Sequence, residues 1–220
     1  MIGTLINTVA ILAGTALGLL LRKGIPERMR ETVMQGLALC VVLIGVSGAI
    51  KTSDTMCVIV SMVVGGLLGS AVNIEHRLDQ LGAFAERKLL HGRNDSTFAK
   101  GFVTASLVYC VGAMAIVGSM DSGLRGDHST LIAKAALDGV SAIFFASTLG
   151  AGVGLSALAV LVYQGAIALL ATWIAPILTD PIINEMSAVG SLLIIGIGLN
   201  MIYDKHIPVG NMLPAIFMPM

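Results

Sequence analysis

The chain has 220 residues, 56% of them hydrophobic and only 12% charged, with a mean hydropathy of +0.92. Soluble domains carry roughly 25% charged residues, so a water-soluble globular domain is excluded and a polytopic membrane protein is expected. Thirteen basic residues balance thirteen acidic ones, and no basic tract marks a nucleic-acid surface.

The first apolar segment, about Ile2 to Leu21, is expected to stay as a membrane helix rather than be cleaved as a leader. It contains Asn7 and the pair Gly14 and Gly18, a GxxxG spacing that lets a second helix approach closely. A polar connector broken by Pro26 leads to helices over about Val33 to Ile50 and Met56 to Val72. The latter carries Gly65, Gly66 and Gly69. Residues 73–100 are the one long hydrophilic stretch. There Ile74, Leu78, Leu81, Phe84 and Ala85 share a helical face opposite charges, which predicts an amphipathic helix along the membrane surface, followed by the loop HGRNDST.

A fourth helix is expected over about Gly101 to Met120, with Tyr109 and Cys110, and a fifth over Lys134 to Gly154. The sixth, Leu155 to Trp173, includes Gln164, and Trp173 suits an interface anchor. A connector with Pro176 and Pro181 precedes the seventh, Met186 to Tyr203, which holds Asn200. The last stretch, HIPVGNMLPAIFMPM, is apolar but interrupted by Pro208, Pro214 and Pro219. It lies in the interface, re-enters the membrane or forms a half-helix.

The fifth segment places Lys134, Asp138, Ser141, Phe145 and Thr148 on one stripe at about 100° per residue. An ionisable group in the bilayer costs roughly 2.5–3.5 kcal/mol, so by default it faces protein or a water-filled cavity. Gly150, Gly152 and Gly154 then weaken helix continuity, and a polar stripe beside a breakable backbone is how transporters build sites near the midplane. The plainer alternative is that Lys134 and Asp138, four residues apart, simply pair. Asn7, Gln35, Ser147, Gln164 and Asn200 are further polar groups at membrane depth. Such residues also glue helices together at about 0.6 kcal/mol each. The candidate substrate- or ion-binding set is therefore Asp138, Lys134, Ser141, Thr148, Asn7, Asn200 and Gln164. Asp138 leads it, since a carboxylate can ligate a hard cation or exchange a proton.

No P-loop or HExxH is present, and His76, His91, His128 and His206 sit in connectors or at helix ends. Cys40, Cys57 and Cys110 are far apart, with neither metal spacing nor a disulfide framework. No nucleophile–base pair, cofactor cradle or metal can be named, so an enzyme is not expected.

Orientation can be counted. With the N-terminus outside and seven spans, ten basic residues (Arg22, Lys23, Arg28, Arg30, Arg77, Arg87, Lys88, Arg93, Lys100 and Lys205) fall inside. Only Lys51 and Arg125 fall outside, a strong positive-inside asymmetry. Residues 73–100 are then a cytoplasmic connector within a single transmembrane domain. A weak internal similarity, Glu31 then Gly36 against Glu185 then Gly190, suggests inverted repeats. The glycine runs at Gly14 to Gly18 and Gly65 to Gly69 suggest a homodimer.

Five stretches together resemble a bacterial membrane-protein family catalogued as domain of unknown function 554. They are GTLINTVAILAG at Gly3 to Gly14, VVGGLLG at Val63 to Gly69, GFVTASLVYCVGAMAIVGSM at Gly101 to Met120, KAALDGVSAIFFASTLGAGV at Lys134 to Val153, and VGNMLPAI at Val209 to Ile216. The resemblance spans nearly the whole chain. It implies a multi-pass inner-membrane protein of a family regarded as transporters without an assigned substrate, and it supplies no residue roles. The expectation is an all-α transmembrane bundle of about seven spans plus a C-terminal apolar segment, moving a small solute or ion across the bilayer. A non-transporting scaffold or sensor, or a passive channel, is the alternative.

Overall fold

The computed structural model describes residues 1–22, 27–78, 80, 84, 98–203 and 207–220, apart from the side chains of Glu27, Arg30 and Ala113. Among these residues the chain is helical, without strands. Three long helices open the chain: α1 (Ile2–Arg22), α2 (Glu27–Ala49) and α3 (Thr55–Val72). The Asp54 carboxylate caps α3 by accepting the Met56 and Cys57 N–H groups, and Asn73 closes it in the left-handed conformation. Helix α2 begins six residues before its expected start. Pro26, expected to break the connector, lies outside the described residues. Of the expected surface helix over 73–100, residues 74–78 are helical; 79, 81–83 and 85–97, including the HGRNDST loop, lie outside the described residues.

The expected fourth helix is two. Helix α4 (Phe98–Cys110) and helix α5 (Ala113–Leu124) meet at a 60° bend. Gly112 makes the corner with a φ of 119°, a conformation closed to other residues, and a Cβ there would meet nothing within 4 Å. Helix α6 (Ser129–Leu149) starts five residues earlier than expected because Asp127 accepts the Ser129 N–H at 2.9 Å. That bond holds the exposed Asp127 carboxyl below the usual range. Helix α6 stops at Gly150, whose φ of 84° ends it before the expected Gly154. Helix α7 (Gly152–Leu169), the short α8 (Ala171–Ile174) and α9 (Asp180–Ile202) follow. Pro181 lies in the first turn of α9, where its missing N–H costs nothing, so this helix starts six residues before Met186. The C-terminal segment holds a 3-10 helix, Val209–Phe217, lodged against α3.

Six helices are long and apolar enough to cross a membrane. Helix direction is consistent with the bent pair being one span, which makes seven. Along α1, Gly3 meets Leu131, Gly14 meets Gly139 and Ala142, and Gly18 meets Ile143 and Ala146. The numbers rise together, so α1 and α6 are parallel. If α1, α2 and α3 each cross, the chain is left at the Asn73 end, and a parallel α6 starts from the Met1 end when α4 and α5 together make one crossing. Helices α2 and α9 are antiparallel, with Gly45 against Ile195, Gly48 against Ser191 and Val42 against Gly198. Seven crossings satisfy both pairings.

Lipid tails are as apolar as leucine, so close packing rather than water exclusion holds such helices together. Helix α9 is the centre, with 67% of its apolar window buried against 17% for α2. Leu39, Leu43, Leu67, Leu137, Val162 and Trp173 face outward. The glycines expected to join two copies are spent within the chain: Gly14 and Gly18 on α6, Gly65 and Gly69 on Ala215 and Asn211 of the 3-10 helix. The residues read as a repeat also differ in setting. Glu31 is exposed and Gly36 has open space, whereas Glu185 is buried and Gly190 packs on Val111.

A Cβ at Gly14 would collide with the Gly139 carbonyl oxygen, so Gly14→Val must push α1 and α6 apart, at a cost of about 1–3 kcal/mol. Gly36→Ala, in open space, should leave stability unchanged or raise it by up to about 1 kcal/mol. Thermal unfolding in one mild detergent compares the two; an equal response would refute the α1–α6 contact.

Candidate functional site

Three helices bring four of the predicted residues together. Lys134 and Asp138 stand one turn apart on α6, and the Lys134 Nζ lies 2.9 Å from each Asp138 carboxylate oxygen. Asn7 of α1 donates from Nδ2 to Asp138 Oδ2 at 2.9 Å and to Gln164 Oε1 of α7 at 3.4 Å. Lys134 and Asp138 are about 5% exposed, and Asn7 and Gln164 are fully buried. The parallel contact at Gly14 and Gly18 carries Asn7 to the level of Asp138, and the short Gly150–Ala151 link returns the chain as α7 beside both. At 1.5 Å per residue, Asp138 lies about 13 Å along α6 from Ser129, well inside the apolar span.

The network closes on the charges but not on the amides. Asn7 Oδ1 and Gln164 Nε2, one acceptor and one donor, have no hydrogen-bond partner. The buried Thr4, Thr15 and Ser106 hydroxyls lack a protein partner as well, but these two amide atoms belong to adjoining side chains beside an ion pair. Tyr109 adds a third. Its buried hydroxyl lies toward Ser141 and Asp138 without reaching hydrogen-bond geometry, and its ring packs on Phe145 at 6.2 Å. Tyr109 and Cys110 end α4 just before the Gly112 bend, so the broken crossing abuts the charged pair.

The remaining candidates do other work. Ser141 donates to the Leu137 and Asp138 carbonyls, and Thr148 to those of Phe144 and Phe145, so the hydroxyls serve their own helix rather than an inward polar track. Asn200 does not join Asp138. Its amide donates to the Ile207 carbonyl at 2.8 Å and accepts the Ile207 N–H at 2.7 Å, which pins the chain beyond α9. Gln35 is exposed. A cavity of about 240 Å³ opens at the Asn73 end instead, with Glu75, Lys100, Thr104, Ile197, Asn200 and Val209 among its lining residues; Asp138 is not one of them.

Two carboxylates do work that the sequence reading did not assign to them. Glu75 accepts the Gly210 N–H while Asn211 Oδ1 accepts the Glu75 N–H, a reciprocal clasp between the turn after α3 and the 3-10 helix. Glu185 accepts from the Thr52 hydroxyl and the Ser53 N–H, tying the α2–α3 loop to the start of α9. Both are contacts between segments over 130 residues apart, which no local pattern announces. Tyr109 had a signal, a lone phenol within a span, whose hydroxyl needs a partner when buried.

Fold and site define a polytopic α-helical membrane protein that holds an ion pair inside its bundle. The chain belongs to the family described as protein of unknown function DUF554, whose model matches residues 2–220. It is 33% identical to the uncharacterized membrane protein YdfK of Bacillus subtilis (strain 168), over 100% of this chain and 94% of that one. It is likewise 33% identical to the uncharacterized protein YqgA of Escherichia coli (strain K12), with the same shares covered. No solved structure matches.

Removing one partner of a buried pair strands the other charge, at about 3–5 kcal/mol. Lys134→Met and Asp138→Asn should each destabilise the purified protein by that order. The double variant, with no charge left to strand, should recover most of the loss. Additive losses in a double-mutant cycle would mean that the pair is not formed.

Proposed function

We propose that the protein transports a small solute or ion, with Asp138 and Lys134 at its site, in the bacterial inner membrane. The observation that carries this reading is an ion pair within the membrane span whose surrounding amides keep one donor and one acceptor unpartnered. Ionisable groups at that depth are expensive, and a pathway for substrate or ion is their default use. The bend at Gly112 beside the pair supports it, because interrupted helices free backbone groups where carriers bind. Lys134 acts as a resident cation that holds the place of the solute until it arrives.

One observation favours a second reading, a non-transporting scaffold or sensor: the pair is closed, and the 240 Å³ cavity does not reach Asp138. A solute- and ion-flux screen in proteoliposomes separates the two. Wild type should move at least one solute, and Asp138→Asn should slow it at least tenfold. A variant that folds and transports as well as wild type would leave Asp138 a structural role alone.

The orientation follows from charge. Arg22 and Lys100 lie at the Asn73 end, Lys51 and Arg125 at the Met1 end, and the basic excess over the whole chain favours the Asn73 end as cytoplasmic. A single cysteine replacing Arg125 should react with an impermeant maleimide from outside, and one replacing Arg93 only from the cytoplasmic face. The reverse pattern would overturn the orientation.

A further inference from the structure

We propose that the Lys134–Asp138 site takes a zwitterion, one small molecule carrying an ammonium and a carboxylate; this names the substrate class of the transport reading above and rests on it. Charge balance is the first argument. Lys134 Nζ sits 2.9 Å from both Asp138 oxygens, so the buried site sums to zero. A lone anion or cation bound there would bury a net charge, which a low-dielectric interior disfavours strongly. A zwitterion entering between the two side chains keeps the sum at zero. Its carboxylate faces Lys134, its ammonium faces Asp138, and one ion pair becomes two.

Hydrogen-bonding capacity is the second argument. The network leaves one acceptor, Asn7 Oδ1, and one donor, Gln164 Nε2, on side chains with no exposure, of which Asn7 bonds Asp138 and Gln164 bonds Asn7. An ammonium brings three N–H donors and a carboxylate about four lone-pair sites. The ammonium supplies Asn7 Oδ1, and the carboxylate accepts from Gln164 Nε2. A chloride or an alkali cation answers only one of the two orphans; a zwitterion answers both.

The cavity at the Asn73 end has the same complement. Acidic Glu75 and basic Lys100 both line it beside apolar Ile197 and Val209, so it favours neither net charge. Thr104, buried in its wall, stands on α4 five residues, or about 7.5 Å, before Tyr109. The Tyr109 and Phe145 rings meet on the side of Asp138 that faces this cavity, since Phe145 lies two turns further along α6.

The test is binding to the full-length protein in detergent by equilibrium dialysis. The probes are glycine, L-alanine, L-leucine, β-alanine and γ-aminobutyrate, each matched with its deaminated acid and its decarboxylated amine. At least one zwitterion should bind tenfold or more tighter than both of its analogues. Lys134→Met and Asp138→Asn should each weaken it at least tenfold. The Lys134→Met/Asp138→Asn double variant, which strands no charge and so controls for folding, should bind none. If an acid or an amine binds as tightly as its zwitterion, with the same dependence on Asp138, the zwitterion is wrong and the transport site stands. An Asp138-dependent flux of some other class, with no zwitterion bound, likewise overturns the zwitterion and keeps the site. If neither binding nor flux of any compound depends on Asp138, the site reading falls and this inference with it.

Discussion

Two helices that cross the membrane in the same direction touch backbone to backbone at Gly14 and Gly18, and much else depends on that approach. A Cβ at either glycine would run into a carbonyl of α6, at Gly139 or Ile143. Consecutive crossings alternate in direction, so a parallel partner lies an even number of crossings away; α6 is four crossings on from α1 when the bent α4–α5 pair counts as one. The same contact sets the height of Asn7 against Asp138. Moving α1 outward by one side chain would take the Asn7 amide away from the carboxylate and leave both buried without each other.

Around this contact the polar residues divide by depth. At the Met1 end, Glu185 ties the α2–α3 loop to α9; at the Asn73 end, Glu75 and Asn211 tie the turn after α3 to the 3-10 helix. These clasps satisfy backbone N–H groups at helix ends, where such groups lack partners in any helix. In the middle, Ser141 and Thr148 turn back on their own helix. Among the described residues, the cluster of Asn7, Lys134, Asp138 and Gln164 joins charge, depth and incomplete hydrogen bonding in one place. An arrangement whose charges balance but whose amides do not is suited to admitting a guest that balances in the same way.

The crossings were legible in the sequence because length and apolarity alone identify them, and so was the pairing face of α1, because Gly14 and Gly18 carry no other signal. Lys134 and Asp138 stood out since charges in an apolar run are rare. Helix ends were less legible. Pro181 read as a connector, yet proline suits a helix start as well as a stop, and Asp127 met the first N–H of α6 from outside the apolar run. The bend at Gly112 was hidden because a glycine within a span is usually tolerated as a packing residue. Asn7 and Gln164 were visible as polar groups but not as partners, 157 residues apart and joined only by the fold. Asn200 looked equivalent to them and was not; its backbone partner lies seven residues on, past a helix end that the sequence does not mark.

The parallel contact between α1 and α6 can be tested by cross-linking in native membranes. In a chain whose three cysteines are replaced by serine, new cysteines at Ala10 and Gly139 bring their Cβ atoms to about 3.2 Å, close to the separation a disulfide spans. Oxidation should join this pair, while the crossed pair Ala10 with Ala146, which only an antiparallel register would bring together, should stay reduced. Linkage of the crossed pair, with Ala10 and Gly139 left unlinked, would contradict the register and separate Asn7 from Asp138.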